Sequence, residues 1–98
     1  MTDLCKEVNK FGKGIGNEAR YRILQALIRG RKTVNELTRI VKLSQPAVSQ
    51  HLATLRECDL VIAERSGKEV FYAVNTEYTV KLLQRLVNDM NKSKGVSI

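Results

Sequence analysis

Residues 44–55 read SQPAVSQHLATL. Val48, Leu52 and Leu55, spaced by four and three, fall on one side of a helix. A turn of about 100° per residue then sends Pro46, Ser49, Gln50 and Ala53 largely outward, with Gln45 at the exposed start. Ser44 is a suitable N-cap, and Pro46 falls in the first turn, where a missing N–H costs little. The spacing predicts a helix running to about Glu57. Its outer side is polar, mostly uncharged and lined with small residues, which suits entry into a DNA major groove. Glutamine can pair with adenine through two hydrogen bonds, and serine can meet several base edges. The free N–H groups near Ser44 suit a phosphate. An amphipathic surface helix facing water would share this pattern, so the neighbouring segments decide.

Upstream, Thr33-Val34-Asn35-Glu36 has the spacing of a capping box, and a short helix through Leu37, Ile40 and Val41 follows. A connection of four residues makes the two helices a helix-turn-helix unit. Downstream, Val61 to Glu64 and Glu69 to Val74 are rich in β-branched and aromatic residues. They read as a hairpin whose turn, Arg65-Ser66-Gly67-Lys68, carries the basic side chains. Arg65 and Lys68 at that tip suit a flanking minor groove or phosphates, arginine being the better match to a narrow A·T-rich groove. A solvated charged turn is the plain alternative, but the position just after the reading helix favours DNA.

Leu4, Val8, Phe11 and Ile15 line one side of a first helix, which Gly12, Gly14 and Gly16 should weaken at its end. Asn17 caps a second helix through Ile23, Leu24, Leu27 and Ile28, stopped by Arg29-Gly30-Arg31. A last helix, about Thr76 to Asn91, presents Val80, Leu83, Val87 and Met90 together, with a frayed tail from Lys92 to Ile98. The expected fold is mainly α with a small β-hairpin: a winged helix-turn-helix, forming one domain over residues 1–98.

Seventeen lysines and arginines against ten acidic residues give a net charge of +7, and this favours a polyanion. At 98 residues the core is modest, so pairing with a second subunit is expected. No apolar run of about 20 residues is present to span a bilayer, and the N-terminus lacks a signal peptide's apolar stretch. A cytoplasmic protein with no membrane partner follows as the expectation.

LSQPAVSQHLATLRECDLV, the RSGKEVFYAV hairpin and the earlier GNEARYRILQAL together resemble the ArsR/SmtB family of winged-helix transcriptional regulators. The resemblance covers about Val8 to Met90. It implies a homodimeric repressor of a palindromic operator on double-stranded DNA, paired through its first and last helices and released by an inducer whose identity is unknown. It places Gln45, Ser49, Gln50 and His51 in the reading helix and Arg65, Gly67 and Lys68 in the wing. The candidate DNA-binding set is therefore Ser44, Gln45, Pro46, Ser49, Gln50, His51, Arg56, Arg65 and Lys68. His51, the only histidine, lies at the border of the buried side and suits a structural role equally well. Arg56, together with Arg31, Lys32 and Lys42, is a weaker phosphate candidate whose orientation the sequence does not fix.

Many relatives sense metals, but TVNELTRI stands where the family's third-helix site is cysteine-rich, and the last helix contains no histidine. One histidine and two cysteines supply no familiar soft-metal site, so neither metal nor cofactor is expected. Cys5 and Cys58 are the candidate redox pair; their mixed local charge favours two unrelated thiols. No nucleophile–base pair or phosphate-binding glycine loop suggests an enzyme. The rival readings are a protein-interaction module on the same scaffold, a thiol-responsive repressor and a nonspecific DNA binder.

Overall fold

A side chain placed just before each of the five helices accepts from one of the orphan N–H groups of its first turn. In the computed structural model, which describes residues 3–92, Asp3 opens α1 (Leu4–Ile15) by accepting from the Cys5 N–H. Asn17 accepts from the Arg20 N–H at the head of α2 (Glu18–Ile28). At α3 (Val34–Val41) both halves of the capping box form: the Thr33 hydroxyl accepts from the Glu36 N–H, and the Glu36 carboxylate accepts from the Thr33 N–H. Ser44 receives the Ala47 N–H at 3.3 Å before α4 (Gln45–Glu57). Asn75 receives the Tyr78 N–H at 3.4 Å at the start of α5 (Thr76–Lys92). The last helix thus takes in Lys92, and the rest of the expected frayed tail, 93–98, lies outside the described residues.

The helix-turn-helix is tighter than its sequence suggested. Only Lys42, Leu43 and Ser44 join α3 to α4, because Lys42 takes the left-handed conformation (φ 58°) and turns the chain within one residue. Ile23, Leu37, Val48, Leu52, Leu55 and Leu60 fill the core between α2, α3, α4 and the start of the hairpin. Two expected members of the apolar faces lie outside it. Ile28 and Ile40 are 66% and 48% exposed, each one position beyond the stripe that reaches the core.

The hairpin pairs β1 (Val61–Ser66) with β2 (Glu69–Val74) antiparallel, in register from Val61 opposite Val74 to Ser66 opposite Glu69. Its loop is therefore Gly67-Lys68 alone. Arg65, expected in the turn, lies in β1 opposite Val70. Gly67 at φ 64° explains the correction: positive φ at the first of two loop residues matches the strands' twist and lets pairing continue to Ser66. Lys32 adds a short bridge to Tyr72, with backbone hydrogen bonds of 3.0 and 2.7 Å, and so fastens the start of α3 to the wing.

The three glycines mark the end of α1 as expected: the helix runs to Ile15 and Gly16 caps it, and Gly14 has a second role in packing. A Cβ at Gly14 would stand 2.6 Å from Leu60 Cδ1, so the missing side chain is what lets α1 lie against the α4–β1 junction. Arg20 holds the end of α1 from α2, donating to the Gly14 and Lys13 carbonyls at 3.0 and 2.9 Å. A polar cluster completes this contact. The Tyr78 hydroxyl on α5 donates to the buried Glu7 on α1, and Lys10 pairs with Asp59 at 2.6 Å beneath the Tyr78 ring. Partial burial, and then the Glu7 bond, push the Tyr78 phenol up to about 12, while Asp59 raises the Lys10 ammonium. Both groups hold their protons more tightly folded than unfolded, so their contribution is whole below about pH 10 and fades as pH rises toward 12. Alkaline unfolding followed by circular dichroism should show this. Tyr78→Phe should flatten the loss above pH 10; an unchanged profile in that variant would refute the assignment to Tyr78.

Candidate nucleic-acid interface

α4 buries Val48, Leu52 and Leu55, none more than 1% exposed, and this fixes which side chains remain outside. Gln45, Pro46, Ser49, Gln50 and Ala53 are exposed, as the helical spacing anticipated, and Ser44 and Arg56 are exposed beside them. His51 is half-buried at the edge of the packed side. The outer surface of α4 is thus a polar ridge with one cation near its C-terminal end. A helix about 10–12 Å across matches a major groove about 12 Å wide.

Beside this ridge lies a shallow groove of about 510 Å³ between α3, the start of α4 and the wing. Asn35, Arg39, Gln45, Lys68 and Phe71 are among its walls, so the structure brings Gln45 and Lys68 to one depression although 23 positions separate them. Arg39 joins them from the last turn of α3. Sequence reasoning did not single it out; its exposed position one turn after Asn35 on a short capped helix was the available signal. Glu36 and Glu69 also line the groove, so its charge is mixed.

Arg39, Lys42, Arg56, Arg65 and Lys68 are exposed and make no ion pair among the described residues. Two of the weaker candidates are engaged elsewhere. The Arg31 guanidinium stacks 4.2 Å from the centre of the Phe71 ring, and Lys32 donates its ammonium to the Gly30 carbonyl at 3.0 Å. Arg31 therefore braces the wing against the α2–α3 corner, whereas the Lys32 ammonium stays within that corner.

The two thiols are not brought together. Cys58 is buried beside Gly14, its Sγ 3.6 Å from where a Cβ on that glycine would stand. Cys5 is exposed nine residues earlier on the same helix, about 13 Å away along its axis. A disulfide needs Cα atoms within about 7 Å, so α1 would have to leave its seat for the two to join within one chain. Among the described residues no three His, Cys, Asp or Glu side chains converge to hold a metal ion, and no helix is long and apolar enough to cross a membrane.

The sequence model of the family described as "Bacterial regulatory protein, arsR family" matches residues 17–63. The match covers α2 to the beginning of β1. The chain is also 37% identical over 83 residues to the transcriptional activator HlyU of Vibrio cholerae, an alignment spanning 82% of this chain and 77% of that protein. The chain belongs to the ArsR family. The solved structure of HlyU from Vibrio cholerae superposes with a TM-score of 0.71 at 35% identity, covering 88% of this chain and 97% of that one. A probable mercury resistance operon repressor from Streptomyces lividans is 37% identical over 65 residues, 66% of this chain and 52% of that protein. The homodimeric winged helix-turn-helix DNA-binding domain of Mb0332 from Mycobacterium bovis superposes at a TM-score of 0.74 with 26% identity, covering 96% and 93% of the two chains. This ArsR-family protein is accordingly a DNA-binding transcription regulator built on a winged helix-turn-helix, with α3 and α4 as the helix pair and β1–β2 as the wing.

Proposed function

We propose that this ArsR-family protein is a homodimeric repressor of a palindromic operator. Its single domain, residues 1–98, acts in the cytoplasm and catalyses no reaction. Ser44, Gln45, Pro46, Ser49, Gln50 and His51 read or border the major groove. Arg56, Arg65 and Lys68 hold phosphates or a flanking minor groove. The observation carrying this reading is the exposed polar ridge of α4 standing beside a wing whose cations have no acidic partner in the described chain.

The first and last helices form the dimer contact. Val80, Leu83, Val87 and Met90 are 40–63% exposed along one side of α5, an apolar strip that the chain's own core leaves uncovered. Twofold pairing there would present two reading helices to half-sites about 34–36 Å apart. The Mb0332 domain is described as homodimeric, which supports the pairing. The relatives' names include both an activator and a repressor, so the sign of regulation needs its own measurement. Transcription from an operator-bearing promoter should fall when the protein is added; a rise would establish an activator.

Selection of bound duplexes should return a palindrome, and binding should weaken steeply with salt. Equal affinity for selected and scrambled DNA at several salt concentrations would sink sequence reading. Gln45→Ala or Ser49→Ala should relax preference at individual base pairs by about 1–3 kcal/mol. Lys68→Ala should instead weaken all sequences alike and reduce the salt slope by about 1. The apolar strip also suits docking of a different protein. That reading predicts a stable heteromeric complex unaffected when Ser49 and Gln50 are replaced.

A further inference from the structure

A second groove, of about 450 Å³, runs between α2 and α3 and shares no lining residue with the depression beside α4. Arg22 and Gln25 of α2, its C-cap Arg29 and Lys32 line it, and Ala26 and Ile40 contribute apolar surface. No carboxylate lines it. Arg22 and Arg29, seven residues apart on one side of α2, are exposed and make no ion pair among the described residues. Glu18, one turn before Arg22, does not reach it as an ion pair. Lys32 spends one N–H on the Gly30 carbonyl and keeps two more.

Cations alone are well served by water. Here they flank Ile40, which is 48% exposed although its neighbour Val41 is buried. An apolar side chain bordered by unpaired guanidinium groups is complementary to a ligand carrying both an apolar body and an anionic head. The volume lies in the range of small-molecule sites, roughly 300–1,000 Å³. A DNA backbone would answer the charges but would bring nothing to cover Ile40.

We propose that the α2–α3 groove binds a small amphipathic monoanion, its head held by Arg22 and Arg29 and its apolar body laid on Ala26 and Ile40. Arginine suits a planar carboxylate head because its forked N–H groups donate two parallel hydrogen bonds. The site joins α2 to the first helix of the helix-turn-helix, so an occupant would touch the elements that support α4.

Methyl-labelled full-length protein can be titrated with decanoate below its micelle concentration and followed by NMR. Saturable shifts centred on the Ala26 and Ile40 methyls are expected. Decyltrimethylammonium and acetate, which each lack one half of the ligand chemistry, should shift them far less at equal concentration. Arg22→Glu with Arg29→Glu should weaken decanoate binding at least tenfold, and the neutral pair Arg22→Gln with Arg29→Gln should weaken it less while preserving the spectrum of the folded chain. Shifts centred on Val80, Leu83 and Val87 would overturn the proposal, as would equal binding of the cationic amphiphile or indifference to both double variants. A scrambled duplex that displaces decanoate, with charge reversal weakening DNA binding as much as Lys68→Ala does, would reassign the groove to DNA phosphates and overturn it too.

Discussion

Replacing Leu83 and Val87 together with glutamate is expected to yield a monomer and to lower operator affinity by about 10³-fold, the lower end of the gap between specific and nonspecific binding. Both side chains stand on the exposed side of α5, at 40% and 53%, within the strip that includes Val80 and Met90. Val80, Leu83 and Val87 set three large apolar side chains on one exposed side of a helix, more than a chain of this size leaves bare without use. In a twofold dimer each substitution counts twice, because the same surface meets itself. Carboxylates brought face to face there and taken out of water cost several kcal/mol per ion. Sedimentation reads the subunit count and a competition titration reads the affinity. A variant that remained dimeric would place the contact elsewhere. A monomer that still bound the operator tightly would show that pairing is dispensable for reading.

That variant should remain folded, because the strip is separate from the contacts joining α5 to the rest of the chain. Leu82 points inward at 3% exposure, and Tyr78 reaches Glu7 on α1. Lys10, next on the same side of α1, pairs with Asp59 immediately after α4. α1 and α5, the helices proposed to pair, are therefore fastened to the C-terminal end of α4 by side chains distant in sequence. In the dimer this contact would set the angle between the two reading helices, so losses at Tyr78 or Lys10 should alter operator spacing preference more than monomer folding.

The local elements were legible because their signals are local. The Thr33–Glu36 capping box, the Ser44 cap and the Val48–Leu52–Leu55 stripe each depend on residues within one or two turns, and each formed as its spacing required. The hairpin was legible as a hairpin, but its loop was read too long. One glycine at positive φ is enough to reverse the chain, which leaves Arg65 in a strand. Ile28 and Ile40 were placed on apolar faces because periodicity locates a stripe without saying how wide a neighbour will cover it. The Glu7–Tyr78 bond spans 71 positions, and no local pattern announces it. The outward face of α4 was readable, whereas Arg39 and the gathering of Gln45 with Lys68 emerged only once α3 and the wing were folded against each other.

Leu60→Ala is expected to destabilise the protein by about 2–5 kcal/mol, and Gly14→Ala in the same chain should recover part of that loss. Leu60 is fully buried at the junction of α4 and β1, where truncation removes apolar contact and leaves a cavity. For a chain near 100 residues, each kcal/mol is worth about 4–8 °C in Tm, so the single variant should melt at least about 8 °C lower. Gly14→Ala alone has opposing effects. It gains about 1 kcal/mol of helix propensity, but its Cβ would stand 2.6 Å from Leu60 Cδ1, with Cys58 Cβ at 3.4 Å. Leu60 is fully buried, so moving its Cδ1 aside disturbs the packed core around it, and overpacking of about 1–3 kcal/mol is expected to outweigh the propensity gain. Once Leu60 is alanine, the clash disappears and the new methyl enters the vacated volume. The two changes should therefore be non-additive, with a coupling of about 0.5–3 kcal/mol favouring the double variant. Melting at fixed protein concentration measures all four corners of the cycle. Strict additivity would mean that α1 does not rest on Leu60, and the close seat that Gly14 provides for α1 would be refuted.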